Sequence, residues 1–99
     1  MIAFDYKDAM AQAKELSQIS AELKTLVNGK LKAQQAELVC AWQGDSANLF
    51  FRKTEELFKD LSNTARMTAG VADAVEVAAK AIKAAEDAAE QLFKTIGLA

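Results

Sequence analysis

The chain has 99 residues, with one Cys and no His, and its 12 basic and 14 acidic side chains give a net charge of -2 at pH 7. This length allows one domain with a small core, and the lack of a basic excess argues against nucleic acid as a partner. A lone Cys without His excludes the usual Cys/His zinc sites and Cys-His or Ser-His nucleophile pairs, so we expect no cofactor and no enzyme activity.

The first sixteen residues, MIAFDYKDAMAQAKEL, carry acidic side chains early and lack an apolar run of signal-peptide length. No later stretch combines the length and the hydropathy of a membrane-spanning helix. We therefore expect a cytoplasmic location from these features alone, and no stable insertion into a membrane.

The first helix is predicted over about residues 6–41. Proline is absent and alanine is abundant, which favours long helices, and Asp5 is the expected N-cap residue. Apolar residues then recur at helical spacing. They form a stripe of Ala9, Ala13, Leu16, Leu23, Val27, Leu31, Leu38 and Ala41, with Ile19 and Leu26 on one flank.

Ser20 and Gln34 are the polar interruptions of this stripe, and Asn28-Gly29 lies within it. Asn-Gly is a turn sequence in isolation. The stripe nevertheless keeps its phase across the pair, which a turn would reset. Gly29 is therefore predicted to be a helix-interior residue, at a cost of about 1 kcal/mol relative to Ala.

The helical pattern breaks at residues 42–45. Gly44 can adopt the left-handed conformation that ends a helix, and Asp45 or Ser46 can cap the first amides of the next one. An αα-hairpin is the expected result, so the fold class is all-α, with a single helical-hairpin domain over residues 1–99.

The second helix is predicted over about residues 46–96, and its apolar pattern follows a heptad repeat. One column comprises Thr54, Leu61, Thr68, Val75, Ile82, Ala89 and Ile96, and the other comprises Phe50, Leu57, Thr64, Val71, Ala78, Ala85 and Leu92. None of these residues is charged, although 26% of the chain is. The larger members form the predicted association seam, namely Phe50, Leu57, Leu61, Val71, Val75, Leu92 and Ile96, and Gly70 is its expected weak point.

The two predicted arms differ in length. At 1.5 Å per residue they span about 54 Å and about 76 Å, so the first arm ends opposite roughly residue 81. The remainder of the second arm carries an apolar stripe without an intrachain partner, composed of Ile82, Ala85, Ala89, Leu92, Phe93 and Ile96. Such a stripe favours another chain, and two antiparallel hairpins would form a four-helix bundle. The alternative is an alanine-rich helix end that frays in solution.

Trp42-x-Gly44 at mid-chain, between two helical arms and followed by DSANLF, resembles the WXG-motif family of small type VII secretion substrates. These are the early-secreted-antigen-like proteins of Gram-positive bacteria and mycobacteria. The resemblance covers essentially the whole chain, including its length, the lack of proline and the Phe50-Phe51 pair. It implies a helical hairpin that dimerises with itself or with a related small helical protein, and that is secreted without a signal peptide through a membrane-anchored ATPase.

In that family the export signal joins the Trp-x-Gly turn of one protomer to a C-terminal Tyr-x-x-x-Asp/Glu segment of the other. This chain departs from the second half, because its one Tyr is Tyr6. The looser family pattern of apolar and acidic positions can be laid on Ile82, Glu86, Ala89 and Phe93, which share one helix face. Any amphipathic helix with an acidic residue beside its apolar seam shows this spacing, so the match is weak. The missing Tyr leaves open an export signal supplied by a partner, such as a larger secreted toxin.

Trp42 has two compatible interpretations, cover for the ends of the two helices and a recognition surface. Gly44 is expected to serve the backbone conformation. Cys40 is expected to be a small apolar filler, although a solvent-facing position would permit an intermolecular disulfide.

Two other function classes share these features. A non-exported cytoplasmic coiled-coil adaptor or chaperone would have the heptads without a need for Trp-x-Gly. A lipid-surface helix would need basic residues flanking a wide apolar face, whereas here the charges alternate in sign, as in the pairs Lys83 with Asp87 and Glu90 with Lys94. The sequence therefore favours protein-protein recognition.

Overall fold

The computed structural model describes residues 4–97, and these residues form two antiparallel helical arms. The first arm comprises helix α1 (Tyr6–Thr25), a π-helical segment (Leu26–Leu31) and helix α2 (Lys32–Ala41). The second arm is one helix, α3 (Asp45–Thr95). No strand occurs within residues 4–97. The all-α prediction is confirmed, and the hairpin is a thin rod with extents of 79 × 17 × 17 Å.

Helix α1 begins where its capping residue predicts. The Asp5 carboxylate accepts a hydrogen bond of 2.9 Å from the backbone N–H of Asp8. This bond satisfies one of the amides that the first turn of a helix leaves without a partner. The N-cap prediction is confirmed.

The helix continues through Asn28-Gly29, as predicted, but its geometry changes there. The N–H of Lys32 donates to the carbonyl of Val27, five residues back, which is the π-helical spacing. A π turn accommodates one more residue than an α turn. The faces of α2 are therefore rotated by one residue, about 100°, relative to a continuous α-helix.

This rotation corrects the predicted stripe beyond Leu31. Gln35, and not Gln34, turns toward α3, where its side-chain amide donates to the Thr54 hydroxyl at 2.9 Å. Leu38 and Ala41, predicted as stripe residues, are exposed instead. The physical reason is the extra residue of the π turn, which a strictly α-helical count does not include.

The seam between the arms consists mainly of small residues. Its most buried members are Ala13, Ser20, Val27, Ala47, Phe58, Ala65, Ala72 and Ala79. The Ser20 hydroxyl donates to the Ala65 carbonyl at 2.6 Å across this seam. A buried hydroxyl without a partner would cost about 1–3 kcal/mol, so Ser20 fixes the longitudinal position of the arms while allowing their close approach.

The structure corrects one of the two predicted columns of α3. The column of Thr54, Leu61, Thr68 and Val75 faces the first arm and is partly buried, as predicted. Its intrachain companion is the column Phe51, Phe58, Ala65, Ala72 and Ala79. The predicted companion of Phe50, Leu57, Thr64, Val71 and Ala78 is exposed on one side of the hairpin. Small side chains let the helices approach closely, and apolar periodicity alone does not identify which apolar column lies inside.

The second arm extends beyond the first. The Lys83 ammonium lies 5.5 Å from the centre of the Tyr6 ring, at the start of α1. The end of the first arm therefore falls close to the predicted residue 81. Beyond it, residues 84–95 of α3 are all exposed, and no other part of residues 4–97 covers them. We refer to residues 84–95 as the overhang.

The outer surface of α3 carries ion pairs at helical spacing. The predicted pairs Lys83–Asp87 (3.3 Å) and Glu90–Lys94 (3.2 Å) are present. Such exposed pairs each contribute about 0.3–0.5 kcal/mol. They support the helix of the overhang without specifying a partner.

Candidate interaction surfaces

The tip of the hairpin is built around Trp42, which has an extended backbone between Ala41 and Gly44. Its ring centre lies 5.4 Å from that of Phe50 and 5.9 Å from that of Phe51, and the two Phe rings are 5.8 Å apart. Tilted and edge-on arrangements at these distances are favourable for aromatic pairs. The three rings form one cluster, which anchors residues 42–44 to the first two turns of α3.

Trp42 is only partly used in this packing, because 38% of it remains exposed. Phe50 is 42% exposed beside it. A large aromatic surface therefore remains accessible at the tip. Both interpretations of Trp42 from the sequence, packing and recognition, fit this geometry.

Gly44 takes a backbone conformation that side-chain-bearing residues rarely adopt, with φ 119° and ψ 178°. It acts as the N-cap residue of α3, and its carbonyl accepts the N–H of Asn48 at 2.9 Å. The predicted capping by Asp45 or Ser46 is wrong, since within residues 4–97 no side chain caps α3. Asp45 is instead the first helical residue, where its negative charge favours the positive end of the helix dipole.

Gly44→Ala should lower the free energy of unfolding by about 1–3 kcal/mol, the cost of a strained backbone conformation. The space around a new Cβ is open at Gly44, so the loss would come from the backbone alone. Gly70→Ala is the matched control, because its surroundings are equally open but the residue is helical. We expect Gly70→Ala to stabilise by up to about 1 kcal/mol. Urea unfolding followed by circular dichroism measures both, and equal effects would refute the strain at Gly44.

Cys40 is exposed on α2, one turn from the tip. The expectation of an apolar filler is therefore wrong.

The two sides of the seam differ in chemistry near the tip. On one side a groove of about 500 Å³ runs between α2 and α3, and its lining is mainly apolar. Leu31, Leu38 and Ala41 line it from the first arm, and Phe50 and Leu57 from α3. We refer to this as the tip groove.

The opposite side of α3 is charged. A depression there is lined by Arg52, Glu55, Glu56, Lys59 and Arg66, together with Lys32 of α2. Charged side chains of both signs prefer to stay in water. In the half of the hairpin near the tip, one side is therefore apolar and the other charged.

The apolar side extends along the rod. It carries the exposed column of α3, and the antiparallel packing of two right-handed helices turns the α1 flank with Ile19 and Leu26 to the same side. We define the apolar face as Ile19, Leu26, Leu38, Phe50, Leu57, Thr64, Val71, Ala78, Ala85 and Leu92. The large members of this set are 39–58% exposed. A contiguous exposed apolar surface of this kind is typical of a protein interaction site.

The predicted association seam is divided by the structure. Leu61 and Val75 face the first arm and belong to the intrachain seam. Phe50, Leu57, Val71, Leu92 and Ile96 are 42–58% exposed. The exposed members are free to contact another molecule.

The predicted C-terminal export or partner face consists of Ile82, Glu86, Ala89 and Phe93. All four residues are exposed on α3, and Ile82 and Phe93 are 40% and 49% accessible. Their spacing continues the intrachain seam of α3 past the end of the first arm. The overhang therefore offers an additional helix the same kind of surface that α1 occupies in the hairpin.

Comparisons with protein-family models, with curated proteins and with solved structures found no match to this chain. Within residues 4–97, no helix is both long enough and apolar enough to cross a membrane. In the same range no group of three or more Cys, Asp or Glu side chains is arranged to hold a metal ion.

Four exposed apolar residues were not singled out from the sequence. Met67 is 71%, Val77 68% and Leu49 54% exposed on α3, and Val39 is 46% exposed on α2. Met67 lies three residues after Thr64, a member of the exposed column, so it borders the apolar face. A heptad analysis that included a third column of α3 would have identified Met67 as an exposed apolar residue.

Proposed function

We propose that this chain acts by protein-protein recognition as a dimerising helical hairpin, and that it is a small type VII secretion substrate or export partner. The observation that carries the proposal is the tip geometry. Trp42 and Gly44 form the break between two long arms, and a partly exposed Trp42 stacks on Phe50 and Phe51. This combination is what the resemblance to the WXG-motif family would require of a recognition turn.

The apolar face supports the recognition half of the proposal. Phe50, Leu57 and Val71 are in contact with water in the single hairpin. Exposed apolar surface of this kind is typical of a site that binds another protein. The partner is a second copy or a related small helical protein, and a larger secreted toxin with a matching helical domain is a further candidate. The secretion ATPase would then bind the assembled pair.

The experiment that tests the proposal is an export measurement in the native host. The protein is quantified in the culture supernatant against a cytoplasmic lysis marker, with the secretion ATPase intact and inactivated. We expect its appearance in the supernatant to depend on the active ATPase. Retention in the cytoplasm under both conditions would refute export of this chain.

A non-exported coiled-coil adaptor or chaperone is the second candidate, and the overhang favours it. Its face carries Glu86 where the family pattern has an acid, but no Tyr lies on α3. Retention in both strains, combined with co-purification of an exported protein, would support this role. The overhang would then hold a client helix.

A further inference from the structure

The charged side of the hairpin near the tip carries a column of basic residues. Arg52, Lys59 and Arg66 follow one another at seven-residue spacing on α3, and all three are exposed. We refer to these residues as the basic column. Together with Lys32 of α2 they line one depression of about 660 Å³. Two positions along an α-helix correspond to a rotation of about 200°, so the basic column lies opposite the exposed column that starts at Phe50. Both surfaces can therefore be occupied at the same time.

The positive charges of this depression are only partly neutralised within the chain. Lys32 and Arg66 have no acidic residue three or four positions away on either side, the spacing at which a helix forms ion pairs. Glu55 and Glu56 also line the depression, but Glu56 pairs with Lys53 outside it at 3.8 Å. The ion pairs within residues 4–97 include no cation of the depression. A local positive potential therefore remains on a chain whose net charge is -2.

We infer that the basic column binds an acidic helix of a partner protein, which lies along α3 and carries carboxylates at seven-residue spacing. The basic groups recur about every 10.5 Å along α3, and side chains seven residues apart on a second helix recur at the same interval. Each carboxylate then meets one Arg or Lys, and a carboxylate can bond to Arg through both of its oxygens. This inference goes beyond the proposed function, because it adds a second binding surface to the apolar face.

The other residues of the depression suit a helical partner. Phe58 is 7% exposed and offers a small apolar contact between the cations. Ser62 and Asn63 provide a hydroxyl and an amide that can hydrogen-bond polar side chains. Since Lys32 belongs to α2 and the remaining lining residues belong to α3, a helix in the depression contacts both arms of the hairpin.

The extent of the basic column favours an acidic helix over a nucleic acid. From Arg52 to Arg66 the column measures about 21 Å, and its next member is Asp73. Double-stranded DNA carries a phosphate about every 3.4 Å along each strand, so its backbone would continue past Asp73 and also lie beside Glu55. A protein helix carries charge only at particular positions, and a basic residue of the partner can lie opposite Asp73.

Binding of two synthetic peptides to the purified protein tests the inference. Both are soluble alanine-rich helices with the same number of Glu residues, at seven-residue spacing in one and at five-residue spacing in the other. Five-residue spacing distributes the carboxylates around the helix instead of along one face. By fluorescence anisotropy at low ionic strength, we expect the first peptide to bind at least about tenfold more tightly. Its binding should weaken as salt is added.

Lys59→Glu with Arg66→Glu should weaken binding of the first peptide by at least about tenfold, because carboxylates would then face carboxylates. Lys7→Glu with Lys14→Glu is the matched control, since it makes the same change in net charge at the same spacing on α1. A peptide with Lys in place of Glu should bind the Lys59→Glu/Arg66→Glu variant more tightly than the original protein. Circular dichroism verifies that both variants keep their helices.

No binding, equal affinity for the two Glu peptides, or equal losses in the two variants would overturn the inference, because nothing would then read the spacing of the basic column. Tighter binding of oligo-dT or of phosphatidylglycerol vesicles than of the first peptide would also overturn it, and would assign the basic column to phosphate groups. Secretion does not enter this experiment, so a failure of the proposed function would be seen separately.

Discussion

Replacing Ile82 and Leu92 together by Asp should dissociate the assembled protein while leaving the hairpin helical. Leu92 is 58% exposed and Ile82 40% exposed in the single hairpin, so the substitutions disturb little within one chain. In an assembly they would bury carboxylates against apolar partners, and an uncompensated buried charge costs about 3–5 kcal/mol. Since about 1.4 kcal/mol is tenfold in affinity, we expect association at least about a thousandfold weaker.

Light scattering over a concentration series measures the change in mass, and circular dichroism measures the retained helix. Ala84→Asp with Gln91→Asp is the matched control, because it introduces two Asp residues into the overhang on the solvent side of the helix. An unchanged mass for the Ile82/Leu92 variant would contradict an interface on this part of α3. An equal loss of mass in the control would point to a general charge effect.

Trp42→Ala should reduce export far more than it reduces stability. The ring contacts Phe50 and Phe51, but 38% of the residue is already exposed, so we expect a loss of about 1–2 kcal/mol, less than the 3–5 kcal/mol typical of a buried aromatic residue. If a partner reads the exposed part of the ring, export should fall by at least about tenfold, the equivalent of 1.4 kcal/mol of lost contact.

Val27→Ala provides the matched control for this prediction. Val27 is fully buried in the seam and distant from the tip, and we expect its truncation to cost about 2 kcal/mol. Export of this variant should remain near the original level if stability is not limiting. Parallel losses of export and of melting temperature in both variants would assign Trp42 a packing role alone.

The helical arms could be predicted from the sequence because their signals are local. Asp5 provides a cap, and the apolar spacing on both sides of Trp42 indicates helices that end near Ala41 and begin again near Asp45. The unequal arm lengths follow from counting residues at a constant rise. These features depend on the neighbours of each residue within one or two turns.

The details that escaped prediction depend on tertiary packing. Either of two apolar columns of α3 could have faced the first arm. In the structure the alanine-rich column faces it, and the two helices approach closely at Ser20 and Ala65. Periodicity measures how apolar a column is and not how closely it lets a second helix approach. The π turn at Asn28-Gly29 could not be predicted from periodicity either. One extra residue in a helical turn leaves the spacing of the apolar residues in the sequence nearly unchanged.

The tip could be predicted in outline but not in its chemistry. The Trp-x-Gly break was evident from the sequence, whereas the stacking of Trp42 on Phe50 and Phe51 depends on the entry angle of α3. Gly44 sets that angle through a conformation reserved largely for glycine. The capping expectation at Asp45 failed for the same reason, since Gly44 places the first turn one residue earlier.

The π turn divides the first arm into two parts that can change independently. A chain with one codon fewer between Leu26 and Leu31 could form an uninterrupted α-helix there, with α1 and its contacts to Ala65 unaltered. Helix α2 would keep its present faces, with Gln35 against α3, because the π turn already absorbs the extra residue. If the present residues were wound as a continuous α-helix instead, α2 would rotate by about 100° and Gln34 would lie against α3. The surface of the tip is thus set by the winding of one turn in the middle of the first arm.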